Sequence, residues 1–160
     1  MHTRYVNGLT IRPLRNGDTD TVSALFARLG ERSRERRFCG AKPRLSELEL
    51  ATLARVDHDR HVLVAYADGD SEPVGIARLV RTGASAEIAF AVADAYQRRG
   101  VGSTLAGELA ADARAAGIAQ LTATICGDNP PMVALLRRLG SSLEATWLGR
   151  EREFTVALER

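Results

Sequence analysis

Apolar positions change their period several times along the chain, and each change marks an element. Leu9 to Leu14 reads as a short strand ending at Pro13-Leu14. Asn16-Gly17-Asp18 supplies turn residues, with Asp18 placed to cap a helix. Val22, Leu25, Phe26 and Leu29 recur at helical spacing, which predicts a first helix over Asp20 to Leu29. A short second helix is expected from Ser33 to Phe38. Ser46-Glu47-Leu48-Glu49 fits a capping box, and Leu48, Leu50, Leu53 and Val56 follow on a third helical stretch.

From His61 the chain turns β-rich. His61 to Ala67, Pro73 to Val80 and Ala86 to Val92 are apolar runs separated by Asp68-Gly69-Asp70-Ser71 and Thr82-Gly83-Ala84. They predict three strands in an antiparallel meander. A long alanine-rich helix follows to about Ala116, with Leu105, Leu109, Ala113 and Ala116 on its apolar face and Gly117 as its stop. Gln120 to Ile125 reads as a strand. Asp128-Asn129-Pro130-Pro131 opens a helix to Leu139 that Gly140 ends. Leu143 to Trp147 and Glu153 to Leu158 read as a closing strand pair and offer an edge for a homodimer. This order describes a mixed α/β architecture, expected as one domain over residues 1–160.

Composition narrows the function classes. The chain has 160 residues, 45% hydrophobic and 26% charged, which is an ordinary globular balance. A net charge of +2 gives no footprint for nucleic acid. The densest basic stretch, Arg32, Arg34, Arg36 and Arg37, is interrupted by Glu31 and Glu35 and is expected to be a solvated helical face. Lys42 is the single lysine, a bias that points to a GC-rich bacterial genome. No apolar run approaches the roughly 18 residues of a membrane span, and Met1 to Thr10 lacks a signal pattern. A cytoplasmic protein with no membrane partner is expected. Cys39 and Cys126 have no Cys or His partner at metal-ligand spacing. They are expected as two free buried thiols, and no metal is expected.

The chemistry concentrates between Ala86 and Gly102, where a strand runs into a glycine-containing loop and then a helix. First-turn amides of a helix lack intrahelical acceptors, and the dipole adds partial positive charge there. Gly100 and Gly102 let the backbone approach an anion, and Arg98 and Arg99 add charge beside it. A pyrophosphate suits such a place. The Walker pattern fails for want of its lysine. The dinucleotide fingerprint fails because Leu105 stands at its third glycine and a meander precedes the loop. An ordinary helix-start loop with two glycines stays open.

Gln97 to Gly102 resembles, at every specified position, the Q/R-x-x-G-x-G/A loop of the GNAT acetyltransferases. Its setting is similar too. Glu87 lies on the strand before it, and Asn129, Met132, Leu135 and Gly140 fall where the family's second coenzyme-side motif has its Asn, apolar residues and Gly. The resemblance runs from Thr10 to about Leu158. Upstream, Ser33 to Phe38, Leu45-Ser46, Glu49-Leu50 and Val56 to Ala65, with Ala86 to Phe90, look like the catalytic domain of bacterial protein lysine acetyltransferases of the Pat type. Cys39 and Ser141 depart from that subgroup, which has Phe at both places. Its often-fused regulatory domains have no counterpart in these residues.

The resemblance implies a GNAT fold, a mixed central sheet with a mostly antiparallel N-terminal meander flanked by helices. It also implies acetyl transfer from acetyl-CoA to an amine without a metal. A protonated amine has no lone pair, so a base must act first; for lysine at neutral pH the deprotonation costs roughly 4–5 kcal/mol. Glu87 is the implied base, directly or through a water; read alone, it is a surface carboxylate facing Arg78 or Arg81. Amides at Ala91, Val92 and Ala93 would polarise the thioester carbonyl and hold the pantetheine. Amides of Arg99, Gly100, Val101, Gly102 and Ser103 would hold the pyrophosphate, with Gln97 and Arg98 also on the coenzyme-binding loop. Asn129 and Met132 would contact the coenzyme arm, with Asn129 otherwise a helix cap. Leu136 stands where many members carry an acidic tyrosine, and Tyr96 is expected to pack beside the loop. Cys126 lacks a histidine partner for nucleophilic work, and His58 and His61 read as structural. A protein lysine is the implied acceptor. A small amine (antibiotic, polyamine or amino acid) and a non-catalytic acetyl-CoA sensor are the alternatives. An open groove would suit a protein, and a closed acidic pocket a polyamine.

Overall fold

A computed structural model describes residues 2–159. An N-terminal hairpin joins β1 (Arg4–Val6) to β2 (Leu9–Pro13) through Asn7 and Gly8, both in the left-handed region. Three residues are too few to show alternation, so β1 escapes a periodicity reading. The Asn-Gly pair that turns it is a strong hairpin signal nonetheless. Helices α1 (Thr19–Ala27), α2 (Glu31–Phe38) and α3 (Glu47–Leu53) follow. Asp18 accepts from the Thr21 amide, and both halves of the Ser46/Glu49 capping box form. Leu48 does not join the apolar face of α3 and is 78% exposed.

The meander is β3 (Arg60–Ala67), β4 (Gly75–Thr82) and β5 (Ser85–Val92), antiparallel throughout. Then come α4 (Val101–Ala115), β6 (Gln120–Cys126), α5 (Pro130–Arg137), β7 (Ser142–Leu148) and β8 (Glu151–Ala157). The sheet has eight strands in the order β1-β2-β3-β4-β5-β6-β8-β7, with β5 and β6 parallel. This is the mixed, helix-flanked sheet expected. Among the described residues no helix is long and apolar enough to cross a membrane.

Two apolar clusters cover the sheet. Leu105, Leu109 and Ala113 of α4 and Leu136 of α5 pack on β3 to β6 and β8. Leu14, Val22, Ala54, Val62 and Val64 form the second cluster with Leu50 and Leu53 of α3. Ala116, expected on the buried face of α4, is exposed because the helix ends before it.

Two further expectations fail. The basic stretch is not wholly solvated. Arg34 turns inward, donating to the Phe26 carbonyl at 3.0 Å with its guanidinium 4.0 Å from the Phe26 ring centre, and Arg37 lines a cavity. The cysteines are neither free nor buried. Cys39 is exposed, Cys126 is half-buried, and a disulfide joins them with their Cα atoms 5.4 Å apart across 87 residues of sequence. Folding brings the end of α2 to the end of β6, a proximity that local spacing cannot encode.

Candidate active site

The site begins where the parallel joint stops. β5 and β6 pair only at Ser85↔Gln120, Ala86↔Leu121 and Glu87↔Thr122. Beyond that, β5 stays paired with β4 to Val92 and β6 stays paired with β8 to Cys126, so the two strands part as a wedge. The β5 edge facing the wedge has no neighbouring strand after Glu87. The Ala93 amide is not on that edge: it donates to the Val74 carbonyl at 2.9 Å. By the alternation of an antiparallel ladder, Ala91 also faces β4, and the Val92 and Phe90 amides face the wedge. Of the three amides expected to serve here, Val92 is the one free to do so.

A single 3-10 turn (Asp94–Tyr96) leads from β5 to the loop. Arg98 (φ 62°) and Gly100 (φ 82°) are both left-handed and wind the loop tightly. Gly100 caps α4 without a side-chain hydrogen bond, and the first turn carries no acid. The amides of Val101, Gly102 and Ser103 therefore open outward unmatched. Two glycines set the approach. A Cβ at Gly75 would stand 2.8 Å from Val101 Cγ1 and from Leu105 Cδ1, so α4 rests directly on β4. One at Gly102 would lie 3.4 Å from Leu135 Cδ1 and 3.7 Å from Val92 Cγ2, which puts the helix mouth against α5 and the end of β5.

The side chains around the loop are differently employed. Gln97 Nε2 donates to the Val92 carbonyl at 3.1 Å and to Ser33 Oγ at 2.9 Å, and Ser33 Oγ donates to Asp94 Oδ1 at 2.7 Å. Gln97 thus ties α2 to the end of β5 and turns away from the α4 amides. Arg98 and Arg99 are exposed, with the Arg99 guanidinium 5.0 Å from the Tyr96 ring centre. Tyr96 does pack beside the loop, and its hydroxyl donates to Asp70 at 2.8 Å. Asp70 also accepts from Arg28 at 2.8 Å. The Arg28 hydrogen bond, then the Glu72 amide and the Tyr96 hydroxyl, hold its carboxyl down at about 2. Asn129 caps α5, accepting from the Met132 amide at 3.4 Å, and Met132 packs on the core. Leu136 is fully buried. His61 Nε2 lies 2.8 Å from Asp112 Oδ2, which Arg4 also grips at 2.8 Å, a structural cluster remote from the loop.

Glu87 stands at the apex of the wedge, exposed, in the last β5–β6 pair. Alternation puts it on the same sheet face as Ala89 and Ala91. Those two line a cavity of ≈ 30 Å³ beneath the N-terminal helices, walled by Phe26, Leu29 and Phe38 and by two cations, Arg37 and Arg78. Burial, reinforced by repulsion from Arg78, pushes the Arg37 guanidinium down to about 10, while Glu87 opposes the shift. Arg78 is lowered by burial and by Arg60, again against Glu87. Among the described residues no carboxylate lines the cavity itself. Sequence reading set Arg78 beside Glu87 but placed neither arginine in a cavity. Arg78 was within reach, since it shares the Ile76 face of β4; Arg37 carries no local signal.

An unpaired strand edge suits an extended arm bearing amides, and an uncapped helix mouth beside it suits a diphosphate. A model of the acetyltransferase (GNAT) family matches residues 27–141. Acetyltransferase Pat of Mycolicibacterium smegmatis is 35% identical over 136 residues, covering 82% of this chain and 40% of that protein. An acetyltransferase of Pseudomonas aeruginosa is 30% identical over 135 residues, covering 81% and 73%. The crystal structure of the GNAT domain of S. lividans Pat superposes with a TM-score of 0.85 at 27% identity, covering 99% of this chain and 95% of that one. The chain spans less than half the length of the mycobacterial relative. The wedge, the helix mouth and these matches agree: this chain belongs to the GNAT acetyltransferases, which use acetyl-CoA as co-substrate.

Proposed function

We propose that these residues form one catalytic domain that transfers acetyl from acetyl-CoA to a protein lysine side chain, with Glu87 as general base. The observation that carries the reading is the position of Glu87, where β5 and β6 part and on the face of the Ala89–Ala91 cavity. A lysine entering from that side reaches a solvated carboxylate that can take its proton directly or through a water. Arg37 and Arg78 raise the local positive potential, which favours the neutral amine over the ammonium. They also disfavour polyamines and aminoglycosides, whose several charges call for acidic walls. The Val92 amide would polarise the thioester carbonyl, a donor of a kind that contributes roughly 3 kcal/mol. The Val101, Gly102 and Ser103 amides would hold the diphosphate, and Asn129 and Met132 would border the arm. Leu136 offers no proton to the departing thiolate. With a pKa near 8.5 by analogy with cysteine, a thiolate leaves without one. The likeness to Pat supports a protein acceptor.

The test incubates the protein with acetyl-CoA and a cell lysate and maps acetylated lysines by mass spectrometry, with small amines assayed in parallel. Lysine acetylation is expected. Glu87→Gln should lower turnover roughly a hundredfold or more while acetyl-CoA affinity holds. Turnover on a small amine alone, or unchanged turnover in the variant at neutral pH, overturns the reading.

A further inference from the structure

The disulfide occupies a telling place. Cys39 is the left-handed residue (φ 57°) that ends α2, and Cys126 is the last residue of β6. Helix α2 belongs to the β5 side of the wedge, because Ser33 is hydrogen-bonded to Gln97 and Asp94 just beyond β5. β6 is the other side. The bond therefore crosses between two lips that strand pairing leaves apart beyond Glu87 and Thr122. The polar contact beside it, Arg36 Nη2 to the Asp128 carbonyl, is long at 3.5 Å. Neither sulfur is sealed in the core, since Cys39 is exposed and Cys126 half-buried.

We propose that Cys39 and Cys126 form a reversible strap across the acceptor side of the wedge, closed and opened by exchange with low-molecular-weight disulfides and thiols. The closed strap blocks a protein acceptor and leaves acetyl-CoA binding intact. In closing, the Cys39 thiolate attacks one sulfur of an external disulfide and releases one thiol. The Cys126 thiolate then attacks Cys39 Sγ in the mixed disulfide and releases the second. Two electrons pass from the cysteine pair to the external disulfide, and the two cysteine protons end on the released thiols. A dithiol reverses both steps. The coenzyme is spared because the amides that would hold its diphosphate open at the mouth of α4, whereas the strap joins the end of α2 to the end of β6. This inference rests on the cofactor reading of the wedge and adds a control on its acceptor side.

The protein is reduced with dithiothreitol or oxidised with oxidised glutathione, desalted, and its free thiols counted by the mass added by a maleimide. Buffers contain a chelator, because both sulfurs and a Glu151 carboxylate oxygen lie within 4.8 Å of one another and a bound metal would imitate the strap. The oxidised form should acetylate lysate proteins roughly tenfold or more slowly than the reduced form. Dithiothreitol should restore the rate, and acetyl-CoA Kd by calorimetry should move by less than about threefold. Cys39→Ser and Cys126→Ser should each run at the reduced rate whatever the redox state. Equal rates in two forms that differ in thiol count and both bind acetyl-CoA overturn the strap alone, as does a redox response that survives in the variants. Two free thiols persisting under oxidant overturn it as well. If neither form binds acetyl-CoA, the cofactor reading falls and takes the strap with it.

Discussion

Gly75 sets the height of α4 above the sheet, and alanine at that position probes whether the height matters to the coenzyme. The added Cβ would stand 2.8 Å from Val101 Cγ1 and from Leu105 Cδ1. Carbon pairs settle at about 3.5–4.0 Å, so something must give by roughly 0.7–1.2 Å. Neither neighbour has room to rotate: Val101 is 2% exposed and Leu105 is 0% exposed. Valine in a helix is in addition held to one preferred rotamer. The first turn of α4 must lift. Overpacking of this kind costs about 1–3 kcal/mol, which for a chain of this size lowers Tm by roughly 2–12 °C. Val101 opens α4, so the same lift carries its amide and that of Gly102 away from a bound diphosphate. One hydrogen bond to a charged group is worth about 1.5–3 kcal/mol, which weakens Kd roughly ten- to hundredfold. Thermal denaturation and calorimetry with acetyl-CoA on the folded variant read the two effects separately. A Tm that falls as stated while Kd stays within about twofold would refute the helix mouth as the anchor. An unchanged Tm would refute the packing argument beneath it.

Asn129→Ala should cost about 1 kcal/mol through the lost cap of α5 and should also weaken acetyl-CoA binding; denaturation and calorimetry together separate a pure cap from a coenzyme contact. Leu136→Ala, at a fully buried site, should destabilise by about 2–5 kcal/mol in urea titration. Asp70 is held down from 3.8 to about 2, first by Arg28, so its stabilising contribution is complete above its unfolded value and is lost as pH falls through about 2. Asp70→Asn should therefore flatten the acid limb of the stability curve between roughly pH 5 and 2; an acid limb as steep as the wild type's would dissociate Asp70 from it.

What the sequence revealed was mostly local. The Asp18 cap, the Ser46/Glu49 capping box, the Gly117 stop and the meander each depend on neighbours within a few residues, and each is found close to where the pattern puts it. The loop from Gln97 to Gly102 was legible for the same reason, because a glycine-rich turn into a helix is a local signature. What escaped is non-local. Charge spacing in α2 says nothing about Arg34 stacking on Phe26 or Arg37 entering a cavity. Cys39 and Cys126 share no local frame, and only the packed sheet brings them to bonding distance. Gln97 matched its motif position, yet its amide is spent tying Ser33 to Val92, a role that depends on the helix lying alongside.

The wedge gives a reason for the proposed coenzyme and acceptor features to fall together. Two parallel strands need a crossover, and here α4 supplies it between β5 and β6. A crossover helix that follows β5 must begin near the carboxyl end of that strand, so its unmatched amides open at that end of the sheet, where ligands of α/β folds generally bind. Pairing that stops after Glu87↔Thr122 frees a strand edge at the same end. The last paired residue, Glu87, stands at the opening and on the sheet face of Ala89 and Ala91, which line the cavity. A shift of one residue in the β5–β6 register would not only bury Glu87 on the other face; it would also move the point of parting relative to the mouth of α4. Substitutions that extend the pairing should therefore lose acetyl-CoA binding and turnover together, whereas Glu87→Gln separates them.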